Sequence, residues 1–276
     1  MKKFLLYIAL GLMCFSAAAQ NGKDLVIIHM NDTHSHLEPE RKGELRGHGG
    51  VVERAAYIDS VRNAVGKKNV LLLHAGDWNQ GTSYYTKFNG YLEVDILNTM
   101  KYDAISLGNH EFDNGIEDLA ARVEKMKAPV LCANYDFTGT ALEKCIKPYT
   151  IVRRAGKKIG IFSVITDLSR VVSSEVISTM KKMDYITVSN KWARYLKEEK
   201  KCDIVIALTH IGYDNDKRSS DVLLAGSTRN IDIIVGGHSH TFLEKITYIP
   251  NLDGKKIPIV QNGCWGLNYA ELRVSE

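Results

Sequence analysis

The sequence predicts an α/β fold built in layers, because short apolar runs typical of strands alternate with segments of helical periodicity. Residues 25–29 and 70–74 are buried-type strands. Between them, residues 51–65 repeat apolar side chains at intervals of three and four, which predicts an amphipathic helix.

The other elements follow the same alternation. Further strands are predicted at 104–107, 130–133, 203–208 and 231–235, a hairpin at 149–153 and 158–165 around Ala155-Gly156, and short strands at 242–249, 257–260 and 269–274. Further helices are predicted at 92–100, 116–126 and 192–200. Residues 167–184 are serine-rich and weakly periodic, which indicates a surface loop or lid. No repeat, low-complexity tract or linker is evident, so a single domain is the simplest interpretation.

The first nineteen residues have the pattern of a cleaved signal peptide. Lys2 and Lys3 precede an apolar run over 4–15, and small residues at 17–19 offer a cleavage site. The run is shorter than the roughly 20 residues that a membrane-spanning helix needs. Lipid attachment at Cys14 is the alternative. We therefore expect an exported, periplasmic or extracellular protein whose mature domain is 20–276.

Charge and cysteine content limit the possible binding partners and the possible disulfide bonds. The formal charge is +4 at pH 7, with acidic and basic residues well mixed and no basic stripe, which argues against a nucleic-acid polymer as partner. Four cysteines lie beyond Cys14, without a CxxC pair: Cys132, Cys145, Cys202 and Cys264. In an exported protein they could pair in three ways, or remain buried free thiols.

Histidines, acids and amides follow the ends of predicted strands. Asp32 and His34 follow the first strand and Asp77 follows the second. Asn109-His110-Glu111, His210 and Gly237-His238-Ser239-His240 follow three more. Because ligands in open α/β sheets bind outside the carboxyl ends of strands, these are positions of a site. Each fragment alone is a weak indication, whereas five in succession predict a metal site.

These motifs resemble those of the calcineurin-like metallophosphatases. The resemblance rests on Asp32-Thr33-His34, Gly76-Asp77, Gly108-Asn109-His110-Glu111, His210 and Gly237-His238-Ser239-His240. The stretches 27–36 and 102–113, and Gln80-Gly81-Thr82, are similar to the 5′-nucleotidase branch. The resemblance covers the whole mature chain and implies a four-layer αββα sandwich of two mixed sheets flanked by helices.

The resemblance also implies a site with two divalent metal ions, whether Zn, Mn or Fe. One ion would be held by Asp32, His34, Asp77 and His240, and the other by Asp77, Asn109, His210 and His238. A metal-bound hydroxide would then attack the phosphate ester. Asn109 and His110 would contact substrate, and His110 would act as proton donor, oriented by Asp113. A helix N-terminal charge before Ile116 is the alternative role for Asp113.

The remaining histidines have simpler interpretations. His29 and His74 lie within strands and are expected in the core or behind the metal ligands. His36 faces either substrate or solvent, and His48 is expected in a turn.

The substrate expected from the resemblance is a nucleotide. A broad phosphomonoesterase or cyclic-nucleotide phosphodiesterase is the alternative enzyme, and a non-catalytic metal-binding subunit is the alternative of another class. Members of the branch continue into a C-terminal domain that stacks the base, whereas this sequence ends at Glu276. We therefore expect that domain to be absent and a separate polypeptide to supply nucleotide specificity. Trp78, Tyr84, Tyr85 and Trp265 are the aromatic candidates near the mouth of the site.

Overall fold

The computed structural model describes residues 4–8, 24–170, 172–214 and 219–275. The strands are β1 Phe4–Ile8, β2 Leu25–Met30, β3 Val70–His74, β4 Ala104–Ser106, β5 Val130–Leu131, β6 Tyr135–Asp136, β7 Ile146–Lys147, β8 Tyr149–Arg154, β9 Lys157–Ile165, β10 Lys181–Lys182, β11 Ile204–His210, β12 Ile233–Val235, β13 Thr247–Pro250, β14 Lys256–Val260 and β15 Ala270–Val274. The α-helices are α1 Val51–Val65, α2 Ser83–Phe88, α3 Tyr91–Met100, α4 Gly115–Val123, α5 Ser174–Ile177, α6 Tyr185–Arg194 and α7 Asp221–Gly226.

Two mixed sheets form the centre of the fold. The first has the order β1-β15-β2-β3-β4-β5-β7, in which β2, β3, β4, β5 and β7 are parallel. The second has the order β13-β14-β12-β11-β9-β8, with parallel pairing from β14 to β9 and antiparallel strands at both edges. A small third sheet pairs β10 with β6.

Alternation along single strands shows the layers. In β2, Leu25 and Ile27 pack into the cluster between the sheets, while Val26 and Ile28 pack toward α1, α3 and α4. β11 divides in the same way: Ile204 and Ile206 join the cluster between the sheets, and Val205 and Ala207 join the one beneath α6 and α7. Period-two alternation with both faces apolar therefore builds helix, sheet, sheet and helix layers. The predicted four-layer αββα fold is confirmed.

Several predicted boundaries were wrong. The helix predicted at 192–200 begins at Tyr185, because Asp184 caps it by accepting a hydrogen bond from the Thr187 N–H, and a π-helix follows over Tyr195–Glu199. Only Thr247–Pro250 forms a strand in the region predicted at 242–249, with Phe242 in an isolated bridge to Asn262. The predicted loop 167–184 contains α5 and β10. The six-residue helices α2 and α7 were missed because they are too short to show a period.

The described residues include one strand of the predicted signal peptide and all four cysteines of the predicted mature domain. β1 pairs antiparallel with β15, and the rest of the predicted signal peptide, with Cys14, lies outside the described residues. Cys132, Cys145, Cys202 and Cys264 are free thiols, all buried except the partly exposed Cys145, so the free-thiol alternative holds. Within the described ranges, no helix has the length and apolar character needed to cross a membrane.

Candidate metal centre

The loops after the parallel strands hold their polar side chains in unusual backbone conformations. Positive φ angles occur at Asp32 (49°), His34 (47°), Asp77 (52°), His238 (82°) and His240 (52°). Such conformations cost a non-glycine residue on the order of 1–3 kcal/mol and cluster at functional sites. Backbone hydrogen bonds hold two of the loops together, from Asp32 N to Gly76 O and from His34 N to Asp77 O, both 3.0 Å.

A first cluster contains Asp32, His34 and His240. The Nε2 atoms of His34 and His240 are 3.0 Å apart, and His240 Nε2 lies 3.4 Å from Asp32 Oδ1. Asp32 is fully buried, and its carboxylate also accepts hydrogen bonds from Asn31 Nδ2 (2.7 Å) and His238 N (2.9 Å). The cluster therefore offers one oxygen and two nitrogen ligands at a single point.

A second cluster contains Asp77, His210 and His238. His210 Nδ1 donates to the Ala75 carbonyl at 2.6 Å, so Nε2, 3.0 Å from Asp77 Oδ2, is the nitrogen that can bind a metal ion once it has lost its proton. The buried Oδ1 of Asn109 has no hydrogen-bond partner among the described residues. An imidazole fixed in this tautomer and an unpaired amide oxygen are suited to bind a cation.

Asp77 lies between the two clusters. Its Oδ2 is 3.8 Å from His34 Nε2 on one side and 3.0 Å from His210 Nε2 on the other, while Oδ1 accepts from His110 N at 2.9 Å. Gly108 makes this approach possible, because a Cβ there would lie 2.2 Å from Asp77 Oδ1. Likewise, a Cβ at Gly237 would lie 2.6 Å from the Ala75 carbonyl oxygen.

Neighbouring acids and burial shift the pKa values of the three candidate ligand histidines in opposite directions. Burial disfavours a charged ring, yet Asp77 and Asp32 outweigh it and raise the pKa of His210 to about 10. Contacts with Asp32 and Cys264 raise the pKa of His240 to about 10, whereas burial lowers the pKa of His238 to about 4. The negative field of the acids therefore attracts positive charge, and a metal ion would replace the protons on His210 and His240.

His110 lies at the edge of the clusters, partly exposed. Its Nδ1 donates to Asp113 Oδ2 at 2.9 Å, and this hydrogen bond raises the pKa of His110. His110 also falls within ligand distance of His34 and Asp77. The structure thus places Asp113 against His110 as the orienting role requires.

The family model that matches residues 25–242 is that of the calcineurin-like phosphoesterases. The chain belongs to this family. Human 5′-nucleotidase is 33% identical over 296 residues, covering 98% of this chain and 50% of the human protein. The structure of a 5′-nucleotidase precursor from Thermus thermophilus matches with a TM-score of 0.83 at 33% identity, covering 91% of this chain and 51% of that chain. An NAD nucleotidase from Haemophilus influenzae matches with a TM-score of 0.78 at 31% identity, covering 88% and 46% respectively. The chain thus spans about half the length of these relatives.

Within this phosphoesterase fold, Glu111 holds two ligand loops together, a role that the sequence analysis missed. Its fully buried carboxylate accepts from the backbone N–H groups of Gly108 (2.5 Å), Asp77 (3.0 Å), Trp78 (3.0 Å) and Asn79 (3.4 Å). Burial and the neighbouring Asp77 raise the pKa of Glu111 to about 7. The sequence did offer one indication of this role, because Glu111 directly follows the candidate site residues Asn109 and His110.

The sequence analysis also missed two further buried polar residues, Arg122 and Asp221. The buried Arg122 donates from Nη2 to the Glu111 carbonyl (2.8 Å) and from Nη1 to Asn79 Oδ1 (3.1 Å). Buried Asp221 accepts from Thr209 Oγ1 at 2.6 Å, and burial raises its pKa to about 8. Neither lies beside a ligand in sequence, so no local pattern points to them.

The other histidines divide between the core and the surface. His29 and His74 are fully buried, and no described residue hydrogen-bonds to the ring of His29. The imidazole of His36 stacks on Trp265, with ring centroids 4.7 Å apart and an angle of 10°. His48 is exposed and directly follows the turn at 44–47, which its N–H closes by donating to the Leu45 carbonyl.

The aromatic candidates for the mouth of the site differ in exposure. Trp78 is 1% exposed and is therefore a core residue rather than a mouth residue. Tyr84 lines a groove of about 480 Å³ beside His36, and its hydroxyl donates to Glu38. Tyr85 is partly buried and Trp265 is 39% exposed.

Proposed function

We propose that the protein hydrolyses phosphate esters, above all nucleotides, with two divalent metal ions. This proposal rests on the position of Asp77 between two clusters of potential nitrogen and oxygen ligands, with the His110–Asp113 pair at their edge. Two-metal sites of this kind clamp the attacking and leaving oxygens of a phosphoryl group.

The side chains present suit the two ions. Asp32, His34, Asp77 and His240 would hold one ion, and Asp77, Asn109, His210 and His238 the other. The unpaired Asn109 Oδ1 and the fixed tautomer of His210 support this assignment. Nitrogen and carboxylate ligands suit Zn, Mn or Fe. When bound, the ions would lower the pKa of water and polarise the phosphoryl oxygens.

His110 would supply the proton for the leaving oxygen. Because Nδ1 donates to Asp113, Nε2 is the nitrogen that carries the transferable proton. The raised pKa of His110 keeps the ring protonated at higher pH. Asn109 and His110 would also contact the phosphoryl group.

Chelation and metal restoration test this proposal. We expect chelation to abolish hydrolysis of p-nitrophenyl phosphate and added Mn or Zn to restore it. Asp77→Asn should be the most damaging ligand substitution, because it weakens the binding of both ions. Asp59→Asn, at an exposed acid of α1, is the matched control. Full activity in protein that elemental analysis shows to be metal-free would contradict the dimetal proposal. Metal-loaded protein that hydrolyses no phosphate ester would contradict the proposed catalysis and favour a metal-binding subunit.

Nucleotides are favoured as substrates because the similar proteins include a 5′-nucleotidase and an NAD nucleotidase. Among the described residues near the site, Trp265 offers an exposed ring that is already stacked on His36, and Trp78 is buried. Stacking contributes about 1–3 kcal/mol per base, and a ring already stacked on His36 would add little base selectivity. We propose that a separate exported polypeptide supplies this surface.

Comparison of kcat/KM for AMP and a simple alkyl phosphate tests the partner proposal. We expect a modest ratio for the purified chain and a larger one with the partner. A ratio above about a thousandfold for the chain alone, or more than about 4 kcal/mol, would mean that it recognises nucleosides by itself. If kcat/KM for every nucleotide tested equals that for the alkyl phosphate, and the partner does not change this, the broad phosphoesterase is favoured.

A further inference from the structure

A small cavity lies beside the loop that carries Asp32 and His34. Its volume is about 20 Å³. Thr33 of that loop lines it, together with Arg54 from α1, Glu93 from α3, and His74 and Trp78 from the end of β3 and the loop after it. The cavity thus touches two helices, a strand end and a ligand loop.

Four of these lining residues carry polar atoms without a protein partner. Arg54, His74, Trp78 and Glu93 are each at most 3% exposed. Among the residues that the structure describes, no group hydrogen-bonds to Arg54 Nε, His74 Nδ1, Trp78 Nε1 or either carboxylate oxygen of Glu93. Buried polar atoms are normally paired with protein or with ordered water, so a cavity lined by four residues with unpaired polar atoms points to a bound molecule.

The four residues divide into donors and acceptors. Arg54 Nε and Trp78 Nε1 can only donate, and the Glu93 carboxylate can only accept. The Thr33 hydroxyl donates its single proton to the Trp78 carbonyl (3.4 Å) and therefore accepts from His74 Nε2 (3.1 Å). Burial lowers the pKa of His74 to about 3, so the ring is neutral and Nδ1 is an acceptor.

We propose that this cavity binds one ordered water molecule, which accepts from Arg54 Nε and Trp78 Nε1 and donates to His74 Nδ1 and Glu93. Water has two hydrogens and two lone pairs, so one molecule can pair with both donors, with His74 Nδ1 and with one of the two Glu93 carboxylate oxygens. The volume is sufficient, since a water molecule needs about 10–15 Å³. An anion would face the Glu93 carboxylate, and a cation would face the Arg54 guanidinium, so neither matches the whole lining.

The water connects the helix layer to the metal centre. Arg54 also donates from Nη2 to the His36 carbonyl at 3.0 Å, and His74 holds Thr33, the neighbour of Asp32 and His34. The water therefore fixes Arg54 and His74 relative to Glu93, and through them the loop 31–36. Glu93 is a positioning residue for His34.

A high-resolution crystal structure of the metal-loaded full chain tests the proposal directly. We expect one solvent peak in the cavity, with four contacts of about 2.7–3.2 Å to the named atoms. A crystal soaked in bromide should show no anomalous peak there. A bromide peak, or a direct Arg54–Glu93 contact in a cavity without a solvent peak, would overturn the proposal.

Metal titration of Glu93 variants tests the positioning role. Glu93→Leu removes the acceptor, and we expect about tenfold weaker metal binding, the scale of outer-shell substitutions. Glu93→Gln keeps an acceptor oxygen and should bind metal within about threefold of the unsubstituted chain. Asp95→Asn, at an exposed acid of the same helix, controls for the lost charge. Equal metal affinity for Glu93→Leu and the control would refute the positioning role, and the crystal structure decides the water site even where Glu93→Leu does not fold.

Discussion

His110 differs from His210 and His240 in the acid that sets its pKa. Asp77 and Asp32 belong to the candidate ligand clusters. Both raise the pKa of His210, and Asp32 with Cys264 raises that of His240, whereas Asp113 lies outside the clusters and accepts from His110 Nδ1. A proton on His110 is thus stabilised by a residue that metal binding leaves in place. This separation suits His110 to proton transfer and the other two to ligation.

His110→Ala should lower kcat by about 10²–10⁴, the usual scale for a positioned proton donor, and leave metal content unchanged. The loss should be smaller for p-nitrophenyl phosphate than for an alkyl phosphate, because p-nitrophenolate needs less protonation. Steady-state kinetics with metal analysis measures both, and His48→Ala at an exposed turn is the control. Loss of metal instead would show that His110 is a ligand, which its distance from His34 and Asp77 permits.

Asp113→Asn should move the alkaline limb of the pH–rate profile to lower pH. The carboxylate raises the pKa of His110, so its removal lets the ring lose its proton at lower pH, while the amide oxygen still accepts from Nδ1. The profile of kcat/KM for an alkyl phosphate measures the shift, with Glu117→Gln on α4 as a control for net charge. An unmoved limb would leave Asp113 as a charge before α4 only.

The loops after β3 and β4 behave as one structural unit because they share the Glu111 carboxylate. One loop supplies the N–H groups of Asp77, Trp78 and Asn79, and the other supplies that of Gly108. Each loop carries a candidate ligand, Asp77 or Asn109. The distance between these ligands therefore depends on a residue that binds no metal.

Glu111→Gln should weaken metal binding by about 10–100-fold and also destabilise the fold. A glutamine offers one acceptor oxygen and places an NH₂ group against backbone donors, and each unpaired buried group costs about 1–3 kcal/mol. Competition with a chelator measures metal affinity, and denaturant unfolding measures stability. Glu124→Gln, at the exposed end of α4, is the control. Unchanged affinity would show that the loops hold their positions without Glu111.

At the scale of the whole molecule, the predicted signal peptide includes β1, which covers one edge of the first sheet. Removal of residues 1–19 would make β15 the edge strand. β15 carries Glu271 and Arg273, which hydrogen-bond to each other at 2.8 Å, and charged side chains on an edge strand oppose sheet-to-sheet association. The fold is therefore compatible with loss of this segment.

Mass spectrometry of the exported protein should give a mature chain that begins at Gln20. A chain produced from Gln20 onward should hydrolyse p-nitrophenyl phosphate within about twofold of the exported protein, because no candidate site residue lies in 1–19. An intact N-terminus on exported protein would contradict cleavage. A lipid on Cys14 would instead support the lipoprotein alternative.

Much of the fold and of the candidate site followed from local sequence. The continuous apolar runs at 25–29 and 70–74 and the helical period of 51–65 predicted elements that the structure places within one residue. The predicted strand ends also placed Asp32, Asp77 and His210 at the edge of a sheet, because these residues lie at or directly after the ends of strands in the sequence. Weak periodicity hid α2 and α7, and capping by Asp184 moved the start of α6.

The sequence by itself determined the layered α/β class and the set of residues at the strand ends, because both depend on side-chain period and on neighbours in the chain. Only the tertiary structure decided which of those residues meet. His34 and His240 are 206 positions apart and come within 3.0 Å because the two sheets pack face to face. The same packing puts Asp77 between two clusters and encloses Glu93 with Arg54. Contacts of this kind have no local pattern, since they depend on how whole layers stack.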